Sequence, residues 1–243
     1  MKSPIDAYVA SGRRAAMSDT ADTAVRRIAR DVQRALPNSI RTSSTSCLEF
    51  IPTKTGGRYR TAETVAGDDT SLDFTKADST FNMLGLNSAW PASQQMAAGD
   101  LIVVYNLGIT GSDAYNADNS SAVTSLGTES AGETPINITA FKFPLASGTN
   151  RFQVISSTEK LVSYVCSGTN LFRTVSSSLS TTASCPATGS KVAANVDCTA
   201  TNFNYSGSDL LRNALVSMAL TLKDIPSGES VTLQHEVHVS NTP

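Results

Sequence analysis

Two histidines, His235 and His238, are the residues whose spacing first suggests metal chemistry. They stand in the sequence HEVH, near the carboxyl end of the chain. On a helix both rings would lie on one side, but the flanking residues alternate between apolar and polar types, which predicts a strand. Residues i and i+3 of a strand point to opposite faces, so a shared zinc ion is not expected. His235 falls on the apolar face and is predicted to be buried, whereas His238 is predicted to face solvent.

The remaining polar residues form no recognisable catalytic set. The serines lie in no Gly-x-Ser-x-Gly elbow, and two histidines leave little room for a catalytic triad. Residues 109–121 have the composition of a calcium loop, with Asp113 and Asp118 among asparagines, but lack the spaced carboxylates and closing Glu of an EF-hand. A polar surface loop is predicted there, with calcium binding as the alternative. We predict a protein that is not an enzyme and holds no cofactor.

The four cysteines indicate disulfide bonds and an oxidising compartment, because their number is even and no CxxC pair occurs. Free buried thiols are the alternative. Four cysteines allow three connectivities. The preferred one joins Cys185 to Cys198 across a polar segment, and Cys47 to Cys166 between two strand-like runs. A second pairing also stays open, in which Cys166 joins Cys185 and Cys47 joins Cys198.

Charge is unevenly distributed along the chain. The formal net charge is −2, yet residues 1–41 hold eight Lys/Arg and four Asp, so that this segment is +4 and the remainder −6. The overall balance predicts no nucleic-acid binding. The asymmetry indicates that the opening segment meets a different environment from the rest, with a solvated helix face as the alternative. No apolar run is long enough to span a membrane, and no signal peptide is visible.

An amphipathic helix is predicted from Ser18, a fair N-cap, to Pro37, which stops it. Upstream, an earlier helical turn is predicted near residues 4–9, with a break at Ser11-Gly12. The apolar residues recur at helical spacing, and those predicted to pack on a sheet are Val25, Ile28, Val32 and Leu36. The residues off this stripe that are predicted to face outward, as candidate partner contacts, are Arg26, Arg27, Arg30 and Arg34.

Beyond Pro37 the sequence is typical of β-structure, with short apolar runs between clusters of Gly, Ser, Asn and Asp. A first pair of strands is predicted at 47–53 and 59–65, joined through Gly56-Gly57. Two hairpins are predicted later, and the second has one buried face. Residues 109–133 and 176–198 are predicted to be long loops. The other predicted strands lie at 100–108, 134–143, 151–156, 161–166, 171–176, 213–222 and 231–239.

Six segments carry a family resemblance. They are PIDAY (4–8), ADTAVRRIARDVQRALPNSIR (21–41), CLEFIPT with GGRYR (47–60), VVYNLG (103–108), VSYVC with LFR (162–173) and VHVSNTP (237–243). Together they resemble the minor pilins of the MshO type, in the mannose-sensitive haemagglutinin class of type IV pili. The architecture is also similar to that of the J-type pseudopilin of type II secretion. The ALPNSIR segment and the HEVHVSNTP end are specific when taken together.

The resemblance implies an α+β, type IV pilin-like fold, in which an N-terminal helix packs on mainly antiparallel β-sheets. Residues 1–40 would be the soluble half of the pilin spine helix, and residues 41–243 a β-rich head that forms a single domain with it. Members of the family carry an apolar segment ahead of the PIDAY box, which inserts into the inner membrane. This chain has Met1-Lys2-Ser3 directly before that box, so the apolar half of the helix is expected to be missing.

The function that the resemblance implies is structural. Minor pilins of this type initiate the pilus or cap its tip through contacts with other minor pilins and the major pilin. Such a subunit resides in the inner membrane and periplasm before it joins the extracellular pilus. A tip adhesin that binds a surface or a glycan is the first alternative, and a type II secretion pseudopilin is the second.

Overall fold

The computed structural model describes residues 4–207 and 213–243. Its first element is α1, the helix Pro4–Val32. Two short 3-10 helices lie in loops, at Asn87–Ala89 and Ala114–Asn116. Within the described ranges the strands are β1 (Arg41–Ser44), β2 (Cys47–Phe50), β3 (Thr55–Arg58), β4 (Asp78–Leu84), β5 (Leu101–Val103), β6 (Ser120–Leu126), β7 (Glu133–Phe141), β8 (Arg151–Ile155), β9 (Leu161–Ser167), β10 (Asn170–Ser176), β11 (Ser190–Ala194), β12 (Asn202–Ser206), β13 (Asn213–Lys223) and β14 (Ser230–Ser240).

The strands form three antiparallel sheets. The five-stranded sheet has the order β1-β2-β9-β10-β11, and the three-stranded sheet has the order β12-β13-β14. The six-stranded sheet has the order β3-β8-β5-β6-β7-β4 and curves into a half-barrel. The five- and three-stranded sheets meet where the backbone N–H of Phe203 in β12 donates to the carbonyl of Thr45, between β1 and β2, at 2.7 Å.

The predicted pilin-like arrangement of a helix on a sheet is wrong. The chain is mostly β, with 41% strand and 14% helix, and its strands are divided among three sheets. The physical reason is that the apolar runs bury against two separate cores. The half-barrel encloses a core of its own, built from residues between Tyr59 and Val154. The helix belongs to the other large core, which the three-stranded and five-stranded sheets share.

Helix α1 is continuous from Pro4 to Val32, so the predicted start at Ser18 and the break at Gly12 are wrong. A glycine inside a helix costs only about 1 kcal/mol. The helix ends before Leu36, because the following segment forms tertiary hydrogen bonds: Leu36 N–H donates to Ile51 O at 2.7 Å. Among the described residues, no helix combines the length and the apolar composition that crossing a bilayer requires. Residues 1–3 of the predicted spine segment lie outside the described ranges.

The buried stripe of α1 is the centre of the larger core. Val25, Ile28 and Val32 are buried there, and Ala21 and Ala24 bring the helix close to the strands. The core also takes in the apolar faces of several strands on both sides, including Leu48, Phe50, Val162, Val216, Met218 and Leu220. Leu36 is buried as well, but in a smaller cluster beyond the end of the helix.

The strand predictions succeed where the apolar pattern is strong. Both later hairpins are present: β9 pairs with β10, and β13 pairs with β14 over eleven residues. The predicted pairing of 47–53 with 59–65 is wrong, because β2 pairs with β1 and β9. Gly56-Gly57 lies inside β3 rather than in a turn. A Cβ on Gly57 would come within 2.7 Å of the Phe152 ring, so this glycine permits close packing.

The segments that were predicted to be long loops contain strands of their own. Residues 109–133 include β6, and residues 176–198 include β11. These strands have the sequences SSAVTSL and SKVAA, in which few side chains are large and apolar. Such strands form because a neighbouring strand supplies the backbone partners, and sequence composition alone does not reveal that neighbour.

The two outer strands of the half-barrel, β3 and β4, approach each other at one place, which we call the seam. An isolated bridge joins Tyr59, just after β3, to Met83 in β4. Beside it, the backbone N–H of Arg60 donates to Asn82 O at 3.0 Å. The carboxylate of Glu133 accepts hydrogen bonds from the Arg60 guanidinium and, at 2.9 Å, from the Asn82 amide. One carboxylate therefore connects β7 to both sides of this seam.

We expect Ile28→Ala to lower the free energy of unfolding by about 2–5 kcal/mol, because it leaves a cavity at a fully buried position. The neighbouring Arg27 is exposed, so Arg27→Ala should change that free energy by less than about 0.5 kcal/mol. Urea denaturation of both variants measures the difference. Equal losses for the two variants would contradict the placement of the helix.

We expect Glu133→Gln to weaken the half-barrel seam in a pH-dependent way. The hydrogen bonds from Arg60 and Asn82 lower the pKa of Glu133 below its ordinary value of 4.5. A carboxylate with a lowered folded-state pKa stabilises the fold above its unfolded pKa, and this contribution is lost as pH falls through the folded value. The wild type should therefore be the more stable protein near pH 7, and the difference should vanish in acid, as pH falls through the lowered pKa of Glu133. Denaturation curves measured from neutral to acidic pH test this prediction. A difference in stability between the two proteins that persists in acid would contradict the role of the Glu133 carboxylate at the seam.

Candidate partner interface

The amino-terminal half of α1 carries the largest exposed apolar side chains of the helix. Tyr8, Ile5 and Val9 are 81%, 73% and 46% exposed. Burial of the helix begins further along, at Ala21. Exposed apolar side chains grouped on one segment are typical of a surface that contacts another molecule.

Ion pairs fasten this exposed half to the turn between β13 and β14. Arg13 lies 3.7 Å from the carboxylate of Asp224 and 3.5 Å from that of Glu229. Arg14 donates to the second oxygen of Glu229 at 3.2 Å. Asp224 also accepts hydrogen bonds from Ser227, and these, with the Arg13 charge, lower its pKa. The two arginines therefore hold the helix in one direction relative to the sheet.

A partly buried polar network anchors the second half of the helix to the five-stranded sheet. Asp31 accepts hydrogen bonds from the Tyr164 hydroxyl at 2.8 Å and from Nε of Arg173 at 2.7 Å. Arg173 also pairs with Glu159 at 2.5 Å. Burial raises the pKa of Tyr164, and the negative charge of Asp31 raises it further. The network fixes the rotation of α1, because Asp31 has to face β9 and β10.

The four predicted contact arginines lie on the exposed side of the chain. Arg26 forms an ion pair with Asp22 one turn earlier, at 2.6 Å, and its side chain is 72% exposed. Arg30 donates to the carbonyl of Arg26, and Arg34, beyond the end of the helix, donates to Thr53 O. Their charged groups remain near the surface, where an acidic partner can reach them. Their role in partner contact stays a prediction.

Three asparagines join the parts of the chain that carry the family resemblance. Asn38 follows the helix, Asn106 follows β5, and Asn241 follows β14. The Asn38 amide donates to Asn106 O at 2.9 Å and to Asn241 O at 3.2 Å, and its backbone N–H donates to the Asn241 side chain. Asn106 donates to Pro37 O at 2.7 Å. Sequence reasoning missed this junction, although each asparagine stands in a segment that the resemblance singled out.

Backbone conformation explains two residue types at this junction. Asn38 has φ of 60°, a left-handed conformation that asparagine tolerates better than most residues. Gly108 has φ of 68°, and a Cβ there would lie 2.7 Å from Asn38 O. The close approach of the two chain segments therefore requires glycine at position 108, and the left-handed backbone favours asparagine at position 38.

A polar cleft of about 200 Å³ opens beside the junction. Arg41 lies on one wall, with its guanidinium carbon 3.7 Å from the centre of the Tyr115 ring. The same guanidinium pairs with Glu49, which is fully buried, and donates to the carbonyls of Ser180 and Thr181. The charge of Arg41 is therefore paired with Glu49 rather than left open to the cleft. Its hydrogen bonds to the two carbonyls tie the segment that contains Ser180 and Thr181 to the five-stranded sheet.

The cysteines form two disulfide bonds, which confirms the prediction of oxidised cysteines and hints at an extracytoplasmic location. The predicted pairing is wrong. Cys47 joins Cys185, with Cα atoms 6.1 Å apart, and Cys166 joins Cys198, with Cα atoms 5.5 Å apart. The alternative pairing, Cys166 with Cys185 and Cys47 with Cys198, is wrong as well, because it contains neither of the two observed bonds.

Sheet register explains why Cys47 does not meet Cys166. The two residues lie on neighbouring strands, but Cys47 is opposite Val165, not Cys166. Successive side chains of a strand point to opposite faces, so the two sulfurs lie on different sides of the sheet. Residues 177–189 cross one face and present Cys185 to Cys47. On the other face, β11 leads the chain back to β10 and presents Cys198 to Cys166.

The structure contradicts the prediction for His235. This side chain is exposed, so its predicted burial is wrong. It does share a face with buried Val237 and Val239, but β14 is the outer strand of its sheet and leaves this position uncovered.

In the loop for which calcium binding was the alternative, residues 109–121, Asp113 and Asp118 accept hydrogen bonds from the backbone N–H groups of Tyr115 and Gly111. Over residues 4–207 and 213–243, no group of three His, Cys, Asp or Glu side chains is placed to hold a metal ion.

No family model, no curated protein and no solved structure matches this chain.

We expect Asn241→Ala to lower the free energy of unfolding by about 1–3 kcal/mol, because it removes the side-chain acceptor of the partly buried Asn38 N–H and the amide that donates to the Tyr205 hydroxyl. Thr242 is the matched control, since it follows directly and is exposed. Thr242→Ala should change stability by less than about 0.5 kcal/mol. Thermal or urea denaturation distinguishes the two variants, and equal stability of both would show that the asparagine junction does not stabilise the fold.

Proposed function

We propose that this chain is a structural subunit of an extracytoplasmic filament, in the role of a minor pilin that assembles with other pilus subunits through its helix. The observation that carries the proposal is the exposed amino-terminal half of α1, with Ile5, Tyr8 and Val9 at its surface. A helix of 29 residues that buries only its second half has a long surface left for partners. Subunits that assemble along their helices require such a surface.

The resemblance adds support through the residues that it shares. The segments ALPNSIR, VVYNLG and SNTP are far apart in sequence, and Asn38, Asn106 and Asn241 bring them into one hydrogen-bonded junction. A motif whose members meet in space is more specific than the same residues scattered over a surface. The three-sheet architecture itself differs from that of a pilin and lends the proposal no support.

Charge indicates what the helix would contact. Arg26, Arg27 and Arg30 form an exposed basic row on the second half of α1, while the chain beyond residue 41 is acidic on balance. A partner with an acidic surface would gain favourable contacts with this row. The two disulfide bonds are consistent with assembly outside the cytoplasm, where they persist.

Co-expression of the full-length protein with the minor and major pilins of one type IV pilus system tests the proposal. The wild type should capture another minor pilin. The double variant Arg27→Glu, Arg30→Glu should lose most of this capture, because each substitution replaces attraction with repulsion at the basic row. Arg58→Glu is the matched control, since Arg58 is an exposed arginine on β3 of the half-barrel.

Capture by the wild type and the Arg58→Glu variant, with loss in the double variant, supports the role. Failure of the wild type to capture any pilin overturns it. Equal capture by all three proteins would show that the basic row is not part of the interface. A tip adhesin would instead be retained by a surface or a glycan in the absence of other pilins, and the same proteins measure this directly.

A further inference from the structure

The three-stranded sheet has one covered edge and one open edge. At the covered edge, β12 donates a backbone hydrogen bond to the β1–β2 connection. At the other edge, the described residues pair β14 with β13 alone. A strand in this position presents a row of backbone N–H and C=O groups that another strand can pair with.

Strand β14 lacks the features that usually protect an edge. It is eleven residues long, and its register with β13 runs without a bulge from Asn213 opposite Ser240 to Lys223 opposite Ser230. Its sequence, SVTLQHEVHVS, contains no proline and no lysine, and Glu236 is its one carboxylate. Native proteins commonly protect long edges with bulges, prolines or lysines, because an unprotected edge pairs with other chains. The edge of β14 is therefore suited to pairing.

We propose that β14 pairs antiparallel with β14 of a second copy of this chain, with His235 on the two-fold axis. The strand sequence is nearly symmetric about His235. The pairing places Ser230 opposite Ser240, Val231 opposite Val239, Thr232 opposite His238, Leu233 opposite Val237, and Gln234 opposite Glu236. On one face, apolar residues thus meet apolar residues on both sides of a central pair of His235 side chains, and on the other face polar residues meet polar residues.

Charge complementarity favours a second copy over an arbitrary strand. The two Glu236 carboxylates would each lie opposite a Gln234 amide, which can donate an N–H to them, so no like charges stand directly opposite. On the other face, Val231 and Leu233 are only partly buried, and pairing would cover them with the partner's valines. The two sheets would then form one continuous six-stranded sheet. This dimer is independent of the pilin role.

Cysteine cross-linking tests the register. Residues directly opposite each other in an antiparallel pair have Cα atoms about 4.5–5.5 Å apart, within the range of a disulfide bond. The His235→Cys variant should therefore form a covalent dimer on mild oxidation. His238→Cys is the matched control, because the two substituted positions would lie roughly 20 Å apart in the dimer. Both histidines are exposed, so neither change disturbs the core. Equal cross-linking of both variants, or none in His235→Cys, overturns the proposal.

Charge reversal tests the affinity without an added thiol. Gln234→Glu would place like charges opposite each other twice in the dimer, whereas Gln234→Lys would create two opposite-charge pairs with Glu236. We expect the dimer dissociation constant to be about tenfold higher for Gln234→Glu than for Gln234→Lys. Sedimentation velocity over a range of concentrations measures it. A wild type that stays monomeric throughout, or equal constants for the two variants, overturns the proposal.

Discussion

The packing of one helical stripe organises this molecule. Val25, Ile28 and Val32 are buried between the three-stranded and five-stranded sheets, and the alanines beside them allow the helix to approach both. Both sheets bury apolar side chains against this helix, and they also contact each other directly, through β1 and β12 and through the bridge between Val196 and Leu222. The half-barrel has a separate core that contains no residue of α1, so its burial does not depend on the helix.

Polar contacts then decide the direction of the helix. In the second half of the helix, Asp31 accepts hydrogen bonds from Tyr164 and Arg173. In the first half, Arg13 and Arg14 form ion pairs with the β13–β14 turn. Apolar packing has little directional preference, whereas hydrogen bonds and ion pairs require specific geometry. These contacts leave the first half of the helix exposed in a defined orientation. A defined exposed helix is what assembly with other subunits needs.

The same three-stranded sheet carries both proposed interfaces. Its turn holds the exposed part of α1, and its outer strand β14 offers an open edge. Contacts at the helix would use side chains, while contacts at β14 would use the backbone and a nearly symmetric set of side chains. The two surfaces differ in chemistry, so substitutions on one leave the other intact.

The sequence by itself determined the elements whose burial repeats regularly: the helical stripe up to Val32 and the hairpin of β13 with β14. It also determined that the cysteines are oxidised. Only the tertiary structure decided which strands share a sheet, because a strand of small polar residues such as β11 forms when a neighbour pairs with it. Register placed Cys47 and Cys166 on opposite faces, and edge position exposed His235. Each of these outcomes depends on which distant segment lies alongside, and local periodicity does not encode that choice.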